Sequence, residues 1–205
     1  GYNSLEIKIF TGSFIFSIFC IITLVNAINL ADGENGLVVS IFLIFLIIFY
    51  YNHFDPINAI FIPLILSCIL FLTYNIKGLV FLGNSGSYLI GGLISFITIQ
   101  SYNFNFIPVE EIFLLFSLYG LDMLRVYLER ILRKIHPFTA EKNHLHHYIY
   151  KTSESKLINL LIYLAILYLP YGLNKLYENY LIWFLFSILI YLFSLYFFKK
   201  LNKDS

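Results

Sequence analysis

Three polar stretches interrupt an otherwise apolar chain of 205 residues, and each carries residue types that do chemistry. The first is Asn26-Ala-Ile-Asn29-Leu-Ala-Asp32-Gly33-Glu34-Asn35-Gly36. Asn26, Asn29, Asp32 and Asn35 recur every three residues, which spreads them over one side of a helix end before the glycines break it. An acid and three amides in one place offer oxygen ligands to a cation and hydrogen-bond donors to a polar substrate. The plain alternative is a turn capped by Asn and Asp. Against it stand Asn26 and Asn29, which adjoin a long apolar run, where polar groups are expensive and tend to be functional.

The second stretch is Asn75-Ile-Lys77-Gly78-Leu-Val-Phe81-Leu-Gly83-Asn84-Ser85-Gly86-Ser87. Closely spaced glycines and serines ahead of an apolar helix let backbone N–H groups approach an anionic ligand at a helix N-terminus. A Ser/Asn cap on a flexible loop has the same composition, so this stretch decides nothing alone. The third is His136-Pro137-Phe-Thr139-Ala-Glu141-Lys142-Asn143-His144-Leu-His146-His147, which gathers three of the five histidines into four residues. Such a cluster binds metal, moves protons or, when charged, holds phosphate. A structural zinc site would need further Cys or His ligands at finger-like spacing, and the sequence has none. His53 and His136 read as interfacial side chains.

The elements that position these residues must be membrane helices. Apolar residues make up 60% of the chain, aromatics 20% and charged residues 12%, with a mean hydropathy of +0.81. A soluble domain carries about 25% charged residues, so composition excludes a soluble enzyme and a disordered chain. A net charge of +1 leaves no global field for nucleic acid, and none is expected as a partner. Cys20 and Cys68 lie in separate apolar runs and read as small hydrophobes rather than a disulfide or metal pair. No signal peptide is recognisable, and the sequence begins at Gly1.

Apolar runs predict seven spans: Ile7 to Val25, Leu37 to Tyr51, Ile57 to Tyr74, Tyr88 to Gln100, Ile107 to about Tyr127, Leu157 to Tyr171 and Tyr180 to Phe198. The second and fourth are short and must sit inside a bundle or recruit their neighbours. Pro170 and Gly172 read as the stop of the sixth. The expected fold is therefore all-α, a single polytopic membrane domain over residues 1–205. Lys and Arg orient it: Lys77, the segment from Arg125 to Lys156, and the tail lysines give eleven cations on one side, against Lys8 and Lys175 on the other. The C-terminus is thus expected in the cytoplasm, the first residue outside, and all three polar stretches on the cytoplasmic face.

In the fifth span, Asp122, Arg125, Glu129 and Arg133 form a stripe of alternating sign at helical spacing. From Ile107 to Leu121 the rise is only about 23 Å, which leaves Asp122 and Arg125 in the inner leaflet. The stripe either neutralises itself as the helix leaves the membrane or orients the histidine loop.

Together the three stretches resemble the polyprenyl-phosphate N-acetylhexosamine-1-phosphate transferases, a membrane family of phosphoglycosyltransferases. Its Asn-x-x-Asn-x-x-Asp-Gly-x-(Asp or Asn)-Gly motif is matched by Asn26 to Gly36. Phe-(Leu or Met)-Gly-Asp-x-Gly-Ser is nearly matched by Phe81 to Ser87. Asp-x-x-Arg followed by Ser-Pro-Phe and His-x-His-His is nearly matched from Asp122 to His147. The resemblance implies transfer of a sugar-1-phosphate from a UDP-sugar to undecaprenyl phosphate with release of UMP, in cell-envelope or surface-polysaccharide assembly. It implies Mg²⁺ as cofactor, a bacterial inner-membrane location with a cytoplasmic active face, and the bilayer and a second copy of the chain as further partners. By the same resemblance Asp32, His144, His146 and His147 are catalytic. Asn29, Asn35, Asn75, Phe81 and Arg125 bind substrate, and Asn84 with Asp32 faces the metal.

Two departures bear on this. Asn84 stands where the family pattern has a metal-binding aspartate, and the family's aspartate-rich motif on an earlier helix has no counterpart in these residues. The 205 residues answer to about the C-terminal two-thirds of a typical member, and four leading spans would complete it while keeping the first residue outside. The rival readings are a non-catalytic family remnant and, from another class, a small channel or transporter with Asp32 and Asp122 along a polar path. The repeated, interrupted helices of a transporter are not seen. Orientation is testable directly. With the native cysteines replaced by Ser, an impermeant thiol reagent added outside is expected to label a cysteine placed at Asn103 and to spare one at Asn143. The reverse pattern removes the shared cytoplasmic face.

Overall fold

A computed structural model describes residues 14–52, 58–136 and 143–204. These residues form eight helices and, among the described residues, no strand: α1 (Phe14–Ala31), α2 (Leu37–Asn52), α3 (Asn58–Asn75), α4 (Gly83–Asn103), α5 (Val109–Leu132), the short α6 (Leu145–Ile149), α7 (Lys156–Tyr177) and α8 (Tyr180–Asp204). The seven long helices answer to the seven expected spans. Residues 7–13, His53 and the Pro137 to Lys142 part of the histidine stretch lie outside the described residues.

The ends differ from expectation where polar residues find partners inside a helix. α1 continues past Val25 to Ala31, because Asn26 donates to the Ile22 carbonyl one turn back (2.8 Å) and Asn29 donates to Ser87 Oγ on α4 (2.7 Å). α4 starts at Gly83 rather than Tyr88, so Asn84, Ser85 and Gly86 form its first turn. α7 runs through Pro170 and Gly172. A proline inside a membrane helix costs one N–H, which neighbouring groups compensate, and Pro170 is buried against the bundle. The stop falls instead at Glu178, left-handed at φ 40°, whose N–H returns to the Asn174 carbonyl at 2.8 Å.

Outward faces carry Leu66 and Leu70 on α3, Leu89 and Phe96 on α4, and Leu189 and Phe193 on α8, all exposed and apolar as lipid requires. α7 and α8 are long and apolar enough to cross a bilayer, and α1 to α3 are shorter apolar helices. The chain is a polytopic membrane protein, all-helical among the described residues. Its shortest long helix, α2, has 16 residues and spans about 24 Å. As expected for that length it lies within the bundle: Leu37, Val38, Ile41, Phe42, Phe45, Leu46 and Phe49 are all buried, and Phe45 packs on Phe49 at 4.2 Å between ring centres.

α1 and α4 pack along the most extensive contact of any helix pair among the described residues. The α4 face turned inward carries Ser87, Gly91, Ser95 and Thr98, small residues one turn apart that let two backbones approach in a membrane. A Cβ added at Gly91 would sit 3.0 Å from Val25 Cα, which is backbone and cannot yield, whereas a Cβ at Gly92 would meet nothing within 4 Å. This contact sets the register that brings Asn29 to Ser87. Replacing Gly by Ala in an open helix position gains up to about 1 kcal/mol. Gly92→Ala is therefore expected to hold or slightly raise the thermal midpoint in detergent, and Gly91→Ala to lower it by driving α1 from α4. Equal midpoints for the two variants would refute the close crossing.

Candidate functional site

The three polar stretches meet at one end of the bundle, and Asp122 on α5 organises the meeting. Its Oδ2 accepts from His144 Nδ1 at 2.8 Å, its Oδ1 accepts from Arg125 Nη2 at 3.0 Å and from Tyr191 Oη at 2.9 Å, and the Leu145 N–H points at both oxygens at 3.2 and 3.3 Å. Arg125 adds a donor to Tyr191 Oη (2.7 Å), another to Glu129 Oε1 (2.9 Å), and a third to the Asn143 carbonyl. The stripe on α5 therefore orients the histidine loop: Asp122 and Arg125 hold the backbone at Asn143 and Leu145 from either side of His144. Glu129 takes the outer part of Arg125 and lies 3.5 Å from Lys199 Nζ on α8.

His144, His146 and His147 are all buried. His144 and His146 lie nearly parallel with ring centres 5.6 Å apart, and His146 and His147 approach to 4.1 Å. The first stretch comes up against this cluster. A Cβ on Gly33 would stand 2.8 Å from His147 Cε1 and 3.6 Å from His146 Nε2, so the chain passes there with nothing to spare. Glu34 Oε1 lies 3.5 Å from His147 Nδ1. The turn closes at Gly36, whose φ of 86° suits glycine, and whose N–H donates to Asn75 Oδ1 at 2.7 Å.

That bond couples the first stretch to the second. Asn75, at the end of α3 and buried, also donates from Nδ2 to the Val80 carbonyl at 2.7 Å. One amide thus clamps the loop before α2 and the loop before α4. A Cβ on Gly78 would lie 3.4 Å from Asn35 Nδ2, so Asn35 faces the same loop. Phe81 is 72% exposed and Asn84 is exposed in the first turn of α4. Because α1 and α4 are paired through Val25 with Gly91 and through Asn29 with Ser87, Asp32 and Asn84 follow at the same end of that pair.

Burial pushes the Asp32 carboxyl up to about 6, with no neighbouring cation to oppose it. His146 is held well below the usual imidazole range, first by burial and then by the neighbouring His147. Beneath the cluster lies a cavity of about 10 Å³, at the lower limit for one water, lined by residues that include Ala27, Ala31, Tyr119, Asp122, His144, His146 and Tyr163. Among the described residues no three His, Cys, Asp or Glu side chains form a metal cage. The oxygen donors at Asp32 and Asn84 still fit a hydrated Mg²⁺, which keeps several waters and takes one or two carboxylates besides substrate phosphates. A half-buried, uncompensated Asp32 is the observation that favours a cation there.

Of the residues singled out from sequence, Asp32, Asn29, Asn35, Asn75, Asn84, Arg125, His144, His146 and His147 gather at this end, with Phe81 at its exposed edge. Sequence reasoning missed Tyr191, which lies deep in α8 among apolar residues, and Glu34, passed over inside a motif. A tyrosine in a membrane helix has no periodicity that marks it. The buried pair Glu111 and Tyr171, with the exposed Lys175, was missed as well: Glu111 Oε1 accepts from Tyr171 Oη at 2.8 Å and meets Lys175 Nζ at 2.6 Å at the far end of α5.

Comparison with known proteins gives the class of protein to which this chain is similar. Residues 2–102 match the model of glycosyl transferase family 4, which supports that family for the chain. Over 176 residues it is 27% identical to an undecaprenyl-phosphate alpha-N-acetylglucosaminyl 1-phosphate transferase of Thermotoga maritima, covering 84% of this chain and 56% of the relative. The chain thus spans a little over half the length of that protein. No solved structure matches it.

The clamp at Asn75 separates two roles by experiment. Asn75→Leu keeps the volume but strands the buried Gly36 N–H, at a cost of about 1–3 kcal/mol for an unsatisfied buried group. The variant is expected to lower the thermal midpoint in detergent with no ligand present. An unchanged midpoint would leave Asn75 to contact substrate only.

Proposed function

We propose that the chain forms the nucleotide- and phosphate-facing part of a polyprenyl-phosphate sugar-1-phosphate transferase. It moves the sugar-1-phosphate of a UDP-N-acetylhexosamine to undecaprenyl phosphate and releases UMP on the cytoplasmic face of the bacterial inner membrane. The observation that supports it best is the convergence of three separate motifs at one end of the bundle. Gly33 lies against His146 and His147, Asn29 is bonded to Ser87, and Gly36 is bonded to Asn75.

In this reading an acceptor phosphate oxygen displaces UMP at the β-phosphorus of the donor, so positioning and charge stabilisation dominate. Mg²⁺ held by Asp32 and Asn84 would neutralise the diphosphate. The first turn of α4 offers backbone N–H groups to phosphate oxygens, and the end of a 21-residue helix adds the positive end of its dipole. The buried histidine loop backs the turn at Gly33, and the loop around Asn35 and Phe81 would lie beside the uracil ring. Burial of His146 keeps it uncharged, so it serves as a hydrogen-bonding group rather than as a cation.

The test is UMP release from UDP-N-acetylglucosamine and undecaprenyl phosphate by the full-length protein in detergent, against Mg²⁺ concentration. Mg²⁺-dependent release is expected, with Asp32→Asn lowering it by about 10²-fold or more, in the range of a lost charge-stabilising group. Asn84→Asp restores a full negative charge and is expected to shift half-saturation to lower Mg²⁺. An unchanged Mg²⁺ dependence in Asn84→Asp would take Asn84 out of the metal site. Absence of UMP release with every UDP-N-acetylhexosamine would favour the non-catalytic remnant.

A further inference from the structure

We propose that Asp122 is the positioning residue of His144: with Arg125 and Tyr191 it fixes the His144 proton on Nδ1 and presents Nε2, as a bare acceptor, to the small cavity beneath the histidine cluster. The bound partner of that nitrogen is a single hydrogen-bond donor, a water in the protein without substrate.

A carboxylate only accepts hydrogen bonds. The ring nitrogen 2.8 Å from Asp122 Oδ2 therefore carries a proton, and that nitrogen is Nδ1. The other nitrogen, Nε2, is buried and has no hydrogen-bond partner in the protein. In the neutral ring one nitrogen donates and the other accepts, so with the proton on Nδ1 the Nε2 atom is bare and can accept from a cavity water. His146 Nε2 is buried without a partner as well, and both histidines line the cavity together with Asp122, Tyr119 and Tyr163. A site with two open ring nitrogens and room for one water is built to hold a donor.

Asp122 can impose this tautomer only if its own orientation is fixed. Oδ1 is held by Arg125 Nη2 and by Tyr191 Oη, which leaves Oδ2 turned to His144. Tyr191 is oriented in turn: Arg125 Nε donates to its oxygen at 2.7 Å, so the hydroxyl proton is directed at Asp122. The three donors come from α5, α8 and the start of α6, and no one of them alone would set the carboxylate plane. A carboxylate serving only to cap α6 would need the Leu145 N–H and nothing from Tyr191.

The use of this acceptor in phosphotransfer rests on the function proposed above, but the tautomer does not, so the two fail separately. The experiment is long-range ¹H–¹⁵N correlation on histidine-labelled full-length protein in nanodiscs, with His144 assigned by loss of its signals in His144→Gln. The wild type is expected to show a protonated Nδ1 and a bare Nε2. Asp122→Asn, whose amide can turn a donor to the ring, is expected to move the proton to Nε2, as it does in Ser-His-Asp triads. Tyr191→Phe keeps the packing and is expected to give a mixture of the two tautomers, which decides the matter if Asp122→Asn does not fold. A wild-type proton on Nε2, an unchanged tautomer in Asp122→Asn, or a single unchanged tautomer in Tyr191→Phe would each overturn the proposal. Signals of the exposed His136 are expected to stay in place in both variants.

Discussion

A carboxylate placed among membrane helices must be fully paired or it will not stay ionised there. Asp122 meets that demand with donors from three elements, and the demand itself ties α5, α6 and α8 together. Removing one partner from such a network costs far more than the network contributes over an apolar packing, because the charge left behind is stranded. This asymmetry makes the network a device of geometry more than of stability. α8 is tied to α6 through Asn202, which donates to the Tyr148 carbonyl at 2.9 Å, and through Tyr191 it helps set where the histidine loop sits.

The second constraint is steric. Lipid does not drive helices together, so close association needs small residues and interhelical hydrogen bonds. The Ser87, Gly91, Ser95 series on α4 supplies both against α1, with Gly91 at Val25 and Ser87 at Asn29. Glycine at 33 repeats the device where the turn passes the histidines. Small residues thus decide how near the first stretch comes to the second and third, and Asn75 then locks the two loops with one side chain.

Much of the fold was legible in the sequence because lipid imposes a simple rule: a span is a long apolar run, and seven runs became seven long helices. What misled was punctuation. Pro170 stops a soluble helix but not one packed among neighbours, and Asn26 and Asn29 do not end α1 because each finds an oxygen within reach. At the site, the spacing of Asp122, Arg125, Glu129 and Arg133 announced one face of a helix, and that face does meet the histidine loop. Tyr191 could not be read in the same way. Its role depends on which helix lies opposite, a fact of tertiary packing that leaves no mark in an apolar stretch of Leu, Ile, Phe and Tyr.

The juxtaposition of helix ends adds a last point. α1 finishes and α4 begins at the same end of the bundle, so the negative end of one dipole lies beside the positive end of the other. Asp32 sits at the negative end and the Asn84 to Ser87 turn at the positive one. The first favours a cation and the second an anion, side by side, and a metal–diphosphate pair is a ligand with that polarity. An amide at position 84 in place of a carboxylate shifts the balance toward the anion, since the α4 end then keeps its whole positive character. In the reaction proposed above, the departure at Asn84 would weaken the hold on the cation while leaving intact, or strengthening, the hold on the phosphate oxygens.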